Sequence, residues 1–144
     1  MPTRDYNIGQ DSSVVITDTI FGRLDLKIIT SFDSHEMTAT TKVRPMRGPS
    51  LQDEIPEGWE GSFEIDRGTS SLDDYISRRA STFYATNTLS TATLYHYVDE
   101  VGGGRSVFEY TRVTFKLSDA GKYHGGEVVK QKVSFFASER KKVR

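Results

Sequence analysis

Polar and apolar side chains alternate with a period of two in several separate stretches of this chain, and that period suits only half-buried β-strands. In residues 22–33 (GRLDLKIITSFD), Leu24, Leu26, Ile28 and Phe32 share one parity, while Arg23, Asp25, Lys27 and Asp33 share the other. Residues 59–67 (WEGSFEIDR) set Trp59, Gly61, Phe63 and Ile65 against Glu60, Ser62, Glu64 and Asp66. Residues 105–118 set Val107, Thr111, Val113, Phe115 and Leu117 against Arg112, Thr114 and Lys116. Each run presents one face to a core and one to water. Runs rich in β-branched residues at 14–18, 89–101 and 127–138 add further strands, joined late in the chain by Gly102-Gly103-Gly104 and by residues 119–126. Residues 37–44 (MTATTKVR) have β propensity but a polar surface, which suits a strand that outruns the core or pairs with another chain.

Two segments depart from the pattern. Residues 45–58 (PMRGPSLQDEIPEG) hold three of the four prolines, a density that disfavours both helix and strand, so a long extended loop is expected. Loops of this length inside a compact domain usually have a function. A helix is expected from about Ser71, with Ser70 as cap, Asp73 at the third position, and Leu72, Ile76, Arg79 or Ala80, and Phe83 along one stripe. Asn87 lies past its end. The basic residues 140–144 (RKKVR) are expected as a solvated tail. The fold class is mainly β: an antiparallel β-barrel or sandwich over a single domain, 1–144, with one flanking α-helix.

The 19 basic and 20 acidic side chains leave a net charge of −1, without the concentrated positive surface that phosphate binding requires. The absence of cysteine excludes disulfides, thiolate catalysis and sulfur-ligated zinc. No apolar run reaches the roughly 18 residues that span a bilayer, and the N-terminal residues are polar, so a soluble, unexported protein is expected.

No catalytic constellation emerges. His35, His96 and His124 are scattered, and no cysteine or paired histidine supports a metal site; no cofactor is expected. His35 beside Glu36 lacks a converging nucleophile. Glu64 and Asp66 stand two residues apart on a strand, roughly 6.6 Å along the backbone, a spacing within reach of a glycosidase pair, but a solvated strand face explains them more simply. Tyr95, Tyr97, Phe108, Tyr110, Phe135 and Phe136 admit a base-stacking platform, though core packing accounts for most of them. The triple glycine precedes a strand and so makes no helix-terminal phosphate cradle.

The order strand, strand, long loop, strand, helix, several long strands resembles the tail tube proteins of contractile-tailed bacteriophages. The closest likenesses are GWEGSFEIDR at 58–67, leading into the helix, and GEVVKQKVSFFA at 126–137. The resemblance implies a subunit that forms hexameric rings, which stack into the hollow inner tube of a contractile tail. Double-stranded DNA would pass through that tube without specific binding. It implies contacts with further copies, a sheath, a baseplate and a terminator, assembly in the host cytoplasm, residence in the virion, and no enzymatic role. The long loop would reach the neighbouring ring through Arg44, Arg47, Leu51, Asp53, Glu54, Ile55 and Glu57, with apolar burial near Leu51 and Ile55 outweighing exposed ion pairs. Asp25, Asp33, Glu64 and Asp66 are candidates for a lumen lining that repels phosphate. A tube-initiating baseplate protein or a haemolysin-coregulated-like protein of type VI secretion would share these features. A single-stranded nucleic-acid-binding barrel is the alternative of another class.

Overall fold

A computed structural model describes residues 5–24, 26 and 29–144. It contains β1 (Ser12–Asp18), β2 (Gly22–Leu24), β3 (Ile29–Val43), β4 (Leu51–Asp66), α1 (Ser71–Thr86), β5 (Ala92–Asp99), β6 (Arg105–Asp119), β7 (Lys130–Ala137) and β8 (Glu139–Lys142), preceded by a short 3-10 turn at Gly9–Asp11. All pairings are antiparallel, in the order β2-β1-β5-β6-β7-β4-β3, with β8 also on β6. The expected mainly β class with one helix is observed. The sheet is not closed: β2 and β3 stand at its two ends.

One sheet becomes two facing layers because its central strand bends. The first half of β6 pairs with β5 and β8, and the second half with β7. At the junction Thr111 and Arg112 together oppose Thr93, a bulge in which Arg112 adopts φ 52°, and bulges of this kind sharpen strand bending. Ser138 breaks the facing strand at the same level, donating its N–H to the Thr111 carbonyl at 3.0 Å, so β7 and β8 follow the turn together. Strands that change layer through a bend are a usual way to make the corner of such a packing.

The core fills the space between the layers. Ile16, Leu94 and Tyr110 come from one layer, and Phe63, Val133, Phe135 and Ala137 from the other. Tyr110 is fully buried; its ring meets Trp59, Phe32 and Phe135 edge-on at 6.3, 6.1 and 5.7 Å between centroids. Its hydroxyl is bonded to Ser34 Oγ at 2.8 Å and accepts from Arg140 Nε at 3.0 Å, so the only polar atom of the side chain is satisfied. Gly61 is required at the contact between β4 and β3: a Cβ there would lie 2.1 Å from the Asp33 carbonyl oxygen and 2.8 Å from the Phe135 ring.

The helix closes one end of this core with Leu72 and Tyr75, the latter edge-on to Phe115 and Phe21. It starts after Ser70 as expected, but the capping box does not form. Ser70 Oγ bonds the Asp74 carboxylate at 3.0 Å, and Asp73 is taken by Arg67 at 3.0 Å and by Gln131 at 2.9 Å. Tertiary partners thus outcompete the local cap. Asn87 ends the helix in the left-handed conformation, where an Asn is tolerated.

Three further expectations are corrected. Residues 22–33 are not one strand: β2 pairs with β1 at one end of the sheet, while β3 pairs with β4 at the other. Much of the 45–58 segment is strand, since β4 begins at Leu51 and pairs with β3 in register from Val43↔Leu51 to Thr38↔Pro56. Pro56 is accommodated because no second described strand pairs with β4 from 51 to 58 and because a register shift lies beside it, two of the settings in which a strand accepts proline. The basic tail includes strand β8, with Glu139 to Lys142 laddered onto Thr111 to Phe108.

Helix and sheet are joined by a buried carboxylate. Asp18, 2% exposed, accepts hydrogen bonds from the Tyr75 hydroxyl, from Ser90 Oγ at 2.9 Å, and from the N–H groups of Ile20 and Phe21 at 2.8 and 3.0 Å. Burial alone would raise its pKa, but the Tyr75 bond, then the two backbone donors and Ser90, outweigh it and hold the pKa below the ordinary value. The same burial and bond push the Tyr75 phenol upward. Replacement Asp18→Ala strands these donors and should cost about 3 kcal/mol, given roughly 1–3 kcal/mol per unsatisfied buried group with partial relaxation. The depressed pKa makes this contribution fully present above the ordinary carboxylate value of about 4 and lost as pH falls through the lower folded value. Urea unfolding of both proteins across that range should show the difference shrinking with acid.

Candidate assembly surface

From Trp59 onward β4 is flanked by β3 and β7; between Leu51 and Gly58, among the described residues, it pairs with β3 alone. The last part of β3 and the first part of β4 therefore form a two-stranded arm that leaves the sheet. Eight residues of extended chain carry it roughly 26 Å beyond the last β7 pair. The turn at its tip holds Arg44, Arg47 and the fully exposed Met46.

The ladder sorts the arm into two faces. Ala39, Thr41 and Val43 stand opposite Ile55, Asp53 and Leu51, giving a mainly apolar face on which Val43, Leu51 and Ile55 are 50, 56 and 50% exposed. Thr38, Thr40 and Lys42 stand opposite Pro56, Glu54 and Gln52 on the polar face. There Glu54 accepts from Thr38 Oγ1 at 2.7 Å, Thr40 Oγ1 at 2.9 Å and Gln52 Nε2 at 3.2 Å, and these bonds, Thr38 first, lower its pKa. The residues expected to act together are thus divided: Leu51, Asp53 and Ile55 share one face, Glu54 is engaged on the other, and Glu57 sits at the register shift.

The proposed lumen residues also gather in part. Asp33 accepts from Ser62 Oγ at 2.7 Å, and Glu64 and Asp66 lie further along the same outer face of the β3-β4-β7 layer. Their cross-strand neighbours on β7 are lysines: Lys132 opposite Glu64, and Lys130 opposite Asp66 with Nζ 3.9 Å from its Oδ1. The face is therefore zwitterionic, not purely acidic. Asp25 lies outside the described residues.

Among the described residues, no group of three His, Asp or Glu side chains is placed to hold a metal, and no helix is long and apolar enough to cross a membrane. His96 is turned into the core against Phe32 at 4.7 Å; burial, then the charge of Arg140, lowers its pKa and keeps the ring neutral near pH 7. His35 is exposed, 4.0 Å from Glu60. Of the aromatic residues considered as a stacking platform, Phe108, Tyr110 and Phe135 face the core, while Tyr95 and Tyr97 stack on each other beneath Arg105.

Arg140, read from sequence as part of a solvated tail, is half-buried at the base of the arm. Its guanidinium lies 3.9 Å from the Phe108 ring centre, 4.8 Å from Trp59 and 5.6 Å from Tyr110. Its basic neighbours in sequence conceal this role; the one available signal is that a five-residue basic run follows a strand without an intervening turn residue.

No protein-family model matches the sequence, and no curated protein sequence matches it. Solved structures do share its fold. A chain of the sheath–tube complex of an extracellular contractile injection system, PVC, in the extended state superposes with a TM-score of 0.67 at 10% identity, over 96% of this chain and 92% of that one. A chain of the sheath/tube terminator of the same kind of system gives 0.66 at 10% identity, over 97% and 99%. One from the tube-terminating cap of the anti-feeding prophage gives 0.63 at 10%, over 98% and 93%. The likeness is one of fold, end to end. The resemblance to contractile tail tube proteins drawn from the sequence holds at that level.

Replacing Arg140 by Ala removes a hydrogen bond to Tyr110 and three cation–ring contacts. A loss of about 1–3 kcal/mol is expected. Arg140→Lys should restore only part of it, because a lysine lacks the planar group that stacks on Phe108. Thermal unfolding of the three proteins checks the order.

Proposed function

We propose that this chain is the tube subunit of a contractile particle. It forms hexameric rings that stack into a hollow inner tube within a sheath, meeting a baseplate at one end and a terminator at the other. The observation that supports this reading is the end-to-end match of fold with chains of sheath–tube and terminator assemblies, joined to an arm whose apolar face is left exposed by the described residues. β3 offers a 15-residue edge that no described strand covers, and lateral pairing between subunits satisfies such edges by closing a ring. The role is mechanical, with neither catalysis nor a cofactor. In a phage tail the bore conducts DNA outward and the particle is a virion assembled in the host cytoplasm.

Electron microscopy of the purified protein should show six-fold rings and stacks of them. Leu51→Ser with Ile55→Ser, both exposed in the subunit, should leave the melting temperature unchanged and yield rings without long stacks. A strictly monomeric species at high concentration, with and without baseplate components, overturns the reading. For the lumen, Asp33 is the carboxylate free of a lysine across the ladder. Asp33→Lys should slow DNA release from otherwise intact particles, and unchanged release places that face elsewhere.

A further inference from the structure

The last turns of α1 and the end of β6 enclose a groove of about 180 Å³ lined by Ile76, Phe83, Leu89, Phe115 and Leu117, with Arg79 at its side. Phe83 and Leu89 are 37 and 56% exposed, and Tyr84, at the rim, is 84% exposed. Phe115 belongs to the core, Ile76 and Leu117 pack against it, and Phe83, Tyr84 and Leu89 form the exposed mouth. The groove is distant from the arm: Leu117 is level with Val133 and Phe63, whereas Ile55 is eight residues further along β4, roughly 26 Å away. The arm of the same chain therefore cannot reach the groove.

We infer that this groove seats the arm of a second copy of the chain, with Leu51 and Ile55 entering between Phe83, Leu89 and Leu117, and Asp53 meeting Arg79. The inference rests on the tube reading and names the receptor for its axial contact. Two features favour this occupant. The arm is a two-stranded ribbon with side chains at period two, so its apolar face presents Val43, Leu51 and Ile55 together on one side. The charges are also complementary: Asp53 is the carboxylate on that face, and Arg79 donates two long hydrogen bonds, each 3.4 Å, to the carbonyls of Ser90 and Phe115, leaving further N–H donors for a carboxylate. Arm and groove lie apart on the chain and so make a head-to-tail contact, the type that propagates along an axis when the rotation between copies does not close a ring.

The chain contains no cysteine, so introduced pairs report the contact without background. Full-length Ile55→Cys and Tyr84→Cys proteins, both altered at exposed positions, are mixed, assembled, oxidised and run on a non-reducing gel. A mixed disulfide dimer is expected in assembled material and is absent when either cysteine is omitted. Leu89→Ser should in addition leave single rings where the parent forms tubes, with unchanged melting. Tubes that form without the mixed dimer, or a dimer between Ile55→Cys and a Tyr97→Cys control instead, overturn the groove assignment and leave the tube reading standing. A parent protein that forms neither rings nor tubes overturns both.

Discussion

Everything in this subunit depends on the bend at Arg112 and Ser138. A flat sheet of this strand order would bury neither face; turning β6 and the β7-β8 strand through one corner brings the inner faces together and creates the core. The cost is a non-glycine residue at positive φ, of order 1–3 kcal/mol, and what offsets it is concentrated at the corner. Tyr110, two residues before Arg112, is fully buried and joins β3, β4, β7 and β8 through its ring and hydroxyl, while Arg140, two residues after Ser138, bonds that hydroxyl and lies 5.6 Å from the ring centre. The strain and its compensation are therefore neighbours in space, and a change at either residue acts on the corner itself.

The strands and the single helix were legible because their signal is periodic and local: alternation at 59–67 reports a half-buried face whatever it packs against. In 105–118 the strand is found but not the single face expected, because the bulge at Thr111 and Arg112 moves the core side from Phe108 and Tyr110 to Val113, Phe115 and Leu117, leaving Val107 and Thr111 off it. The features that were not legible depend on partners distant in the chain. The proline-rich segment looks incompatible with a strand until one knows that β4 is an edge there and that a register shift lies next to Pro56. Residues 22–33 keep alternating across a crossing from one end of the sheet to the other, since parity records which side is wet and not which strand is adjacent. Asp73 has the right spacing for a cap, but Arg67 and Gln131 compete for it, and Asp18 carries no sequence mark at all of the four donors it collects. On the candidate surface, sequence placed Leu51, Asp53, Ile55 and Glu54 in one segment, and only the register separates them onto two faces.

An ordered arm has consequences for stacking that a loop of the same composition would lack. Fixing the backbone of a disordered segment costs about 1–2 kcal/mol per residue on binding, whereas the arm meets that cost during folding, through its ladder and the bonds that tie Glu54 to Thr38, Thr40 and Gln52. What remains available at an axial contact is the burial of a few aliphatic side chains and one screened ion pair, a modest free energy for a single arm. In the proposed hexamer six arms act together, and once one has docked the others are held at high effective concentration, so a weak contact repeated around a ring gives a firm stack without new chemistry. The same arithmetic makes isolated subunits poor at adding to a tube end one at a time. On the proposed reading, ring closure through the edge of β3 that no described strand covers precedes stacking, and the apolar face of the arm becomes useful when the ring presents it in several copies.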